Sequence, residues 1–463
     1  REDGSSKFGA DSRWGFFPSV AVGWRISEEP FFEPLRKAVD NLKIRLSYGS
    51  LGNQQIGYYD FIQTITTKGS MSDYSFDGTV LGQHATVSDP VSGDQTWEKV
   101  VSKNLGLDLN MFNNRLSLTT DFYIRDTKGI LGKGKSLPSI YGASEPQMNA
   151  NNLRTKGYEL VLGWRDSFKL AGSTFSYGIT GTFSDYTAEY TKCDNPTGLI
   201  GDPYVGKKYG EIWGYKVDGL FRNDKEAAEY ASRIDLSTVA SGYYTATGAY
   251  GKGVRGGDIK YLDLNGDNIV NGGKGTLDDP GDRRVIGNSS PRYQYGASLN
   301  FSWYGFDVSV FMQGIGRLDW YPGADNLRFW GPYCRPYATF VPKNFMSQVW
   351  SEENPDAYFP RARAYTSLNS NSGTAYYTND RYLQNLAYCR LKNLTIGYTI
   401  PRRLTSKVGI KECRIYFSGE NLATWSALKS DFLDPEQAAA DSDKKANVYP
   451  WCKTYSIGLN LTF

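Results

Sequence analysis

The sequence predicts an all-β protein, a transmembrane antiparallel β-barrel, and three observations carry that expectation. Apolar residues recur at every second position in about eleven short segments. The connections between those segments alternate long and short, as they do when a barrel sorts its loops to opposite sides of a membrane. The composition, with 50 Gly, 34 Tyr, 23 Phe and 11 Trp in 463 residues, suits pleated surfaces joined by tight bends.

In chain order the alternation runs through Val20, Val22, Trp24 and Ile26, then Ile44, Leu46 and Tyr48, then Leu105, Leu107 and Leu109. It continues with Leu116, Leu118, Phe122 and Ile124, with Tyr158, Leu160, Leu162 and Trp164, and with Tyr177, Ile179 and Phe183. After a long gap come Tyr295 to Trp303, Phe306 to Met312, Leu394 to Ile400, and Ile415 with Phe417. The last segment is the clearest: Tyr455, Ile457, Leu459, Leu461 and Phe463 alternate with small or polar residues. Each segment is near the roughly 9 to 11 residues a tilted strand needs to cross a bilayer.

Residues 51–96, 132–154, 191–290, 317–385 and 424–453 make the expected long loops. Residues 110–114, 166–172, 304–305 and 401–411 make the short turns. The polar partners within the strands include Lys43, Arg45, Asp108, Asp121, Glu159, Asn300 and Asp307, which suit a wet or plugged lumen. A soluble sandwich with one wet face would share the alternation but has no reason to sort its loops by length.

A mean hydropathy of −0.49 does not count against a barrel, because the apolar residues occupy only alternate positions. No apolar run is long enough for a membrane helix. The opening Arg-Glu-Asp-Gly-Ser-Ser has no initiator Met and no signal peptide, so the chain is expected to start within a longer protein. About eleven strands would be half of a 22-stranded barrel, the size class that carries a plug. A net charge of +3 leaves no nucleic-acid footprint. Five scattered cysteines and one histidine, His84, leave no zinc or catalytic cluster; a Cys413 to Cys452 disulfide stays open.

Dense, ordered motifs carry a family resemblance. They begin with Asp3-Gly4-Ser5-Ser6, Phe8-Gly9, Trp14-Gly15, Phe17-Pro18-Ser19, Gly23-Trp24-Arg25 and Ser27-Glu28. They continue with Leu42-Lys43, Arg45, Ser47-Tyr48-Gly49, Gly52-Asn53-Gln54, Trp97-Glu98-Lys99, Asn104, Gly106, Asp108, Asn113 and Arg115. Downstream stand Pro291, Tyr293, Tyr295-Gly296, the block Tyr388, Arg390-Leu391-Lys392-Asn393-Leu394, Gly397-Tyr398 and Pro401, then Asn421-Leu422, Asp434-Pro435-Glu436 and Phe463. The whole resembles the C-terminal barrel half of SusC/RagA-type TonB-dependent outer-membrane transporters. That resemblance implies active import of a nutrient, an oligosaccharide or an oligopeptide, energised by TonB-ExbB-ExbD, with a SusD-like lipoprotein lid. It also implies that plug and N-terminal strands lie in a separate N-terminal half, and that outer-membrane lipid surrounds the wall. A passive porin or surface-binding barrel is the alternative, and a secreted carbohydrate-processing β-protein the third reading.

Asp263, Asn265, Asp267, Ile269 and Asn271 place oxygens at every second position, as EF-hand calcium loops do. Asn268 stands where the pattern has Gly, and Lys274 where it has an acid; the resemblance points to Asp282, just before Arg283, as the closing ligand. A structural Ca²⁺ and a solvated acidic turn are both open, and no organic cofactor is expected. Trp320, Tyr321, Arg328, Phe329, Trp330, Tyr333, Trp350, Tyr376 and Tyr377 could contact substrate or lid, or pack loop against loop. No catalytic motif is found, so no enzyme is expected. Residues 224–236 read as a short helix in the longest loop.

Overall fold

The computed structural model describes residues 1–463 apart from 72–80, 135–136, 246–252, 335–340, 342, 364–373, 431–432, 439, 441–448 and 450. Its frame is one antiparallel sheet of eleven strands: β1 (Ser19–Arg25), β2 (Val39–Asn53), β3 (Glu98–Met111), β4 (Leu116–Lys133), β5 (Gln147–Leu170), β6 (Ser173–Lys192), β7 (Arg292–Trp303), β8 (Phe306–Arg317), β9 (Tyr388–Thr399), β10 (Glu412–Ser426) and β11 (Thr454–Thr462). Each strand pairs only with its neighbours in the chain, a meander without crossovers. Among the described residues β1 and β11 do not pair with each other, so both outer edges keep free backbone groups.

One face of this sheet is apolar and uncovered. Val22 is 63% exposed, Phe122 54% and Ile457 84%, although each belongs to the apolar set of its strand. The register aligns these residues in rows across strands: Trp24, Ile44 and Leu107 fall in one row and Leu109, Leu118 and Leu162 in another. Aromatic rings gather where the short turns are, with Phe112 near Trp164 at 6.3 Å and Phe306 near Tyr398 at 4.6 Å. Rows of exposed apolar side chains ending in an aromatic girdle are what a lipid-facing wall requires.

The short turns explain themselves locally. Ala171-Gly172 and Tyr304-Gly305 join their strands as two-residue turns with φ of 49° and 84°, and of 48° and 83°. Both pairs adopt the left-handed turn whose twist matches that of the flanking strands.

The buried core lies elsewhere. Tyr215, Phe221, Leu236, Val239, Tyr243, Ile259, Tyr261 and Val270 come from the β6–β7 connection. They pack with Leu318, Trp320, Phe329, Trp330, Phe359, Tyr382 and Leu386 from the β8–β9 connection, and with Leu433 and Ala438 from the last one. These connections build a folded crown at the long-loop end, with their own two-stranded pairings, Glu211–Tyr215 with Arg283–Asn288 and Val217–Leu220 with Ile259–Tyr261. Helix α1 (Asp224–Ala231) belongs to it, its first turn capped by Asn223, which accepts a hydrogen bond from the Glu226 amide.

Strand pairing runs further than the apolar alternation that marks the strands in sequence. β5 spans 24 residues and β6 spans 20, which carries both beyond the apolar rows into the long-loop side. The reason is physical: past the apolar rows both faces of a strand are wet, so alternation fades while hydrogen-bonded pairing continues.

Candidate functional site

On the face opposite the apolar rows, charged residues lock to one another. The Arg45 guanidinium in β2 reaches over β3 and grips two carboxylates, Asp108 at 2.9 and 3.1 Å and Asp121 of β4 at 3.0 Å through each of two nitrogens. The register sets Gly106 between Arg45 and Asp121. A Cβ at Gly106 would lie 2.5 Å from the guanidinium carbon, so the glycine makes the crossing possible. The same device recurs at the far side, where Arg414 of β10 reaches across Gly397 of β9 to Asp307 of β8, with Nε 2.9 Å from Oδ1. These bidentate pairs make an ionic inner wall that would be costly against lipid.

The block around Arg390 and the Asp434-Pro435-Glu436 motif belong to one anchor. Arg390, 2% exposed, donates to Asp434 at 2.6 Å, Glu436 at 2.7 Å and Thr424 Oγ1 at 2.9 Å. Lys392 adds a contact to Glu436 at 2.8 Å and lies over the Trp451 ring at 5.1 Å. This ties the connection before β11 to the top of β9. At the other end of the sheet Trp97 packs on Phe8 and Phe17, and its indole donates to the Arg13 carbonyl. Glu98 beside it accepts from Asn53 and from the Leu131 amide. The motifs quoted from the sequence are therefore mostly wall and anchor positions.

In the crown, Asn379 is fully buried and joins the two long connections. Its amide nitrogen donates to Tyr321 Oη at 3.0 Å, Tyr261 Oη at 3.3 Å and the Tyr377 carbonyl at 2.8 Å, and its oxygen accepts from the Tyr382 amide at 3.1 Å. Burial pushes the Tyr215 hydroxyl up to about 12, and those of Tyr261 and Tyr321 well above their ordinary range. These phenols stay neutral hydrogen-bonding groups. Asp258, also fully buried, pairs with Arg363 at 2.7 Å, and the Arg363 guanidinium lies 4.0 Å from the Tyr243 ring centre. Burial raises the Asp258 carboxyl to about 7 in spite of the opposing pull of Arg363. Neither Asn379 nor Asp258 stands out in the sequence, since both sit among ordinary polar loop residues.

Of the aromatic set expected to contact substrate or lid, Trp320, Tyr321, Phe329, Trp330, Tyr333 and Trp350 lie buried in the crown core. The rings of Tyr321, Phe329, Trp330 and Tyr333 pack on one another or on Phe359 and Tyr382, with Trp330 5.1 Å from Tyr382 and Tyr333 5.8 Å from Phe359. Only Arg328 and Tyr376 of that set are exposed, with Tyr377 half-buried.

The oxygen-rich loop closes on itself. Asp263 accepts from the Gly266 and Asn268 amides, Asp267 from the Ile269 amide and the Asn265 side chain, and Asn271 from the Gly273 amide. Asp282 is brought beneath it, fully buried, and accepts from the amides of Leu264, Asn265 and Asn271. Asn268 takes a φ of 64°, the left-handed geometry that glycine supplies in the calcium pattern. Among the described residues no three His, Cys, Asp or Glu side chains converge as a metal cluster; the oxygens here are a mixed set of carboxylates, amides and carbonyl. No disulfide joins any of the five cysteines, so Cys413 and Cys452 do not pair.

An apolar outer face, an ionic inner face and a separately packed crown define the wall of a transmembrane β-barrel. No family model matches the chain. It is 28% identical to the TonB-dependent receptor P26 of Formosa agariphila over 100% of this chain and 44% of that protein. It is 24% identical to the TonB-dependent receptor SusC of Bacteroides thetaiotaomicron over 100% of this chain and 41% of that one. The solved RagAB peptide transporter superposes with a TM-score of 0.72 at 22% identity, covering 100% of this chain and 45% of that chain. The chain thus spans less than half the length of these relatives. Along its whole length it is similar to SusC/RagA-type TonB-dependent transporters, and it corresponds to the C-terminal part of their barrel.

Proposed function

We propose that this chain is the C-terminal wall and crown of an outer-membrane importer that takes up an oligosaccharide or oligopeptide by TonB-dependent transport. The observation that carries this reading is the inversion of burial: the apolar residues of the strands are exposed, while the packed core sits in the connections. Such a sheet is stable when lipid tails cover its outer face. The two unpaired edges, β1 and β11, are where the remaining strands of the barrel would join, and the ionic inner wall would face the plug and cargo. A SusD-like lipoprotein would close the crown from outside, with exposed Arg328 and Tyr376 among the groups in reach of lid or cargo. Its similarity to TonB-dependent receptors supports energised uptake, and its likeness to the RagAB peptide transporter supports peptide as one cargo class.

The test uses the native bacterium. Uptake of labelled oligosaccharides and oligopeptides should fall when the gene is deleted and should also stop when the proton gradient is collapsed. Uptake that survives the uncoupler would make the protein a passive pore. Protein that stays soluble without detergent and shows no heat-modifiable migration would overturn the membrane reading and leave a soluble β-protein.

We also propose a structural Ca²⁺ in the loop of Asp263, Asn265, Asp267, Ile269 and Asn271, closed by Asp282. The donor chemistry fits a hard cation that takes oxygen ligands, and Asp282 already draws both ends of the loop together. A bound ion would stiffen the crown, not take part in transport.

A further inference from the structure

The apolar outer face changes character along one line. In the row of Leu46, Leu105, Phe122 and Tyr158 every outward residue on β2 to β5 is apolar or aromatic. The next row toward the crown is Tyr48, Lys103, Ile124 and Lys156. Between the two rows runs a groove of about 760 Å³, floored by the backbone of the intervening residues. Lys103 and Lys156 stand on either side of Ile124 at its crown-side rim, two strand spacings apart, or roughly 10 Å.

Further toward the crown the basic character persists. Asp126 is satisfied by Arg154 at 2.7 Å, but Lys99 sits directly opposite Lys128 on the neighbouring strand. Like charges placed opposite each other cost stability unless an anion lies between them. Among the described residues none of Lys99, Lys103, Lys128 or Lys156 makes a close ion pair, although Asp126 interacts with Lys103 and Lys128 at longer range, and all four lysines are exposed. Lysines on a lipid-facing wall are costly at the bilayer midplane and tolerated at its surface, so this line also marks where hydrocarbon ends. A basic strip directly above an apolar groove has the complementary shape and charge of a lipid with an anionic head.

We propose that this strip is a binding site for a phosphorylated lipid of the outer leaflet, with the phosphate held between Lys103 and Lys156 and the acyl chains lying in the groove over Leu105 and Phe122. The proposal rests on the membrane reading given above. Lysine suits the role, being a point charge on a flexible stem that reaches a phosphate without a fixed bonding geometry. The neighbouring Asp185 does not compete, because Arg292 holds it at 2.5 and 2.6 Å.

The test measures binding to the intact barrel with its partner chains, purified in mild detergent, by native mass spectrometry. The probes are phosphatidic acid, phosphatidylcholine and inorganic phosphate. The wild type should retain phosphatidic acid in preference to phosphatidylcholine, and inorganic phosphate alone should bind at least tenfold more weakly. The double variant K103Q/K156Q should lose roughly 10- to 30-fold in affinity for phosphatidic acid, from about one surface increment per lysine. A control variant, K225Q/K274Q, alters two exposed crown lysines and should leave that affinity unchanged. Heat-modifiable migration checks that each variant is folded. Unchanged affinity in K103Q/K156Q, equal retention of phosphatidylcholine, or inorganic phosphate bound as tightly as the lipid would each overturn the site. If the wild type fails to insert into bilayers at all, the membrane reading falls and the site with it. Insertion with unselective lipid retention sinks the site alone.

Discussion

Replacing Arg390 with methionine should free the stretch around Asp434 to Ala438 from the barrel wall. The guanidinium is 2% exposed and makes bonds of 2.6, 2.7 and 2.9 Å to Asp434, Glu436 and Thr424. Methionine keeps much of the volume and removes all three bonds. It leaves two carboxylates side by side, with side chains 12% and 24% exposed, and only Lys392 near Glu436. Breaking a buried pair from one side costs about 3–5 kcal/mol; because both acids keep some water and one keeps a lysine, about 2–3 kcal/mol is the expected loss here. If that loss is confined to local opening, backbone amides of residues 436 to 438 should exchange roughly 30- to 150-fold faster. Hydrogen exchange read by mass spectrometry on the intact complex measures this directly. The triple variant R390M/D434N/E436Q should recover part of the loss, since removing both sides of a buried charge network is less costly than removing one. Unchanged exchange in R390M, or a triple variant more labile than the single one, would refute the anchor.

Four further outcomes follow from the geometry. Ile179→Lys places a charge on the outer face, where Ile179 is 46% exposed, and should cost about 2–4 kcal/mol in urea unfolding from lipid vesicles; Thr180→Lys, one residue on and facing the other way, should cost far less, and equal costs would contradict the assignment of faces. The raised Asp258 carboxyl favours the folded crown in its protonated form, so that contribution is complete below the ordinary value of 3.8 and fades as pH rises through about 7. Crown amides should therefore exchange faster at pH 8 than at pH 6 after correction for intrinsic rates, and Asp258→Asn should flatten that dependence. Chelation of Ca²⁺ should speed exchange of the amides at 264–271, and Asp267→Asn should weaken the calcium response; a response absent in both proteins would remove the ion from the account. Gly52→Ala would set a methyl 2.2 Å from the Phe17 ring and should lower stability by about 1–3 kcal/mol, read as a lower unfolding temperature.

The wall was legible in the sequence because a bilayer imposes a regular signal. Every second residue from Tyr455 to Phe463 must meet lipid, and nothing else in the chain disturbs that period. The ionic side was legible for the same reason, and Arg45, Asp108, Asp121 and Asp307 all stand on the inner face. The crown was not legible, because its core draws single residues from positions far apart: Tyr261 meets Asn379 across 118 residues and Asp258 meets Arg363 across 105. No local period marks such residues. Trp330 and Tyr333 look the same in sequence whether they line a binding surface or fill a core, and only their packing tells the two apart. The motif residues carried more structure than chemistry: Gly106 and Gly397 are small so that an arginine can cross a strand, a requirement invisible until the register is known.

The distances in sequence that hid the crown also set when it can form. Its core joins residues from Tyr215 to Ala438, and the ends of each connection are held together only after β6 to β11 have paired. Closing loops of that length on an unpaired chain carries an entropic penalty with no compensating contact. The cap therefore assembles on a finished rim, and a strand defect near β8 or β9 would show first as an unravelled outer surface, long before the wall itself gave way.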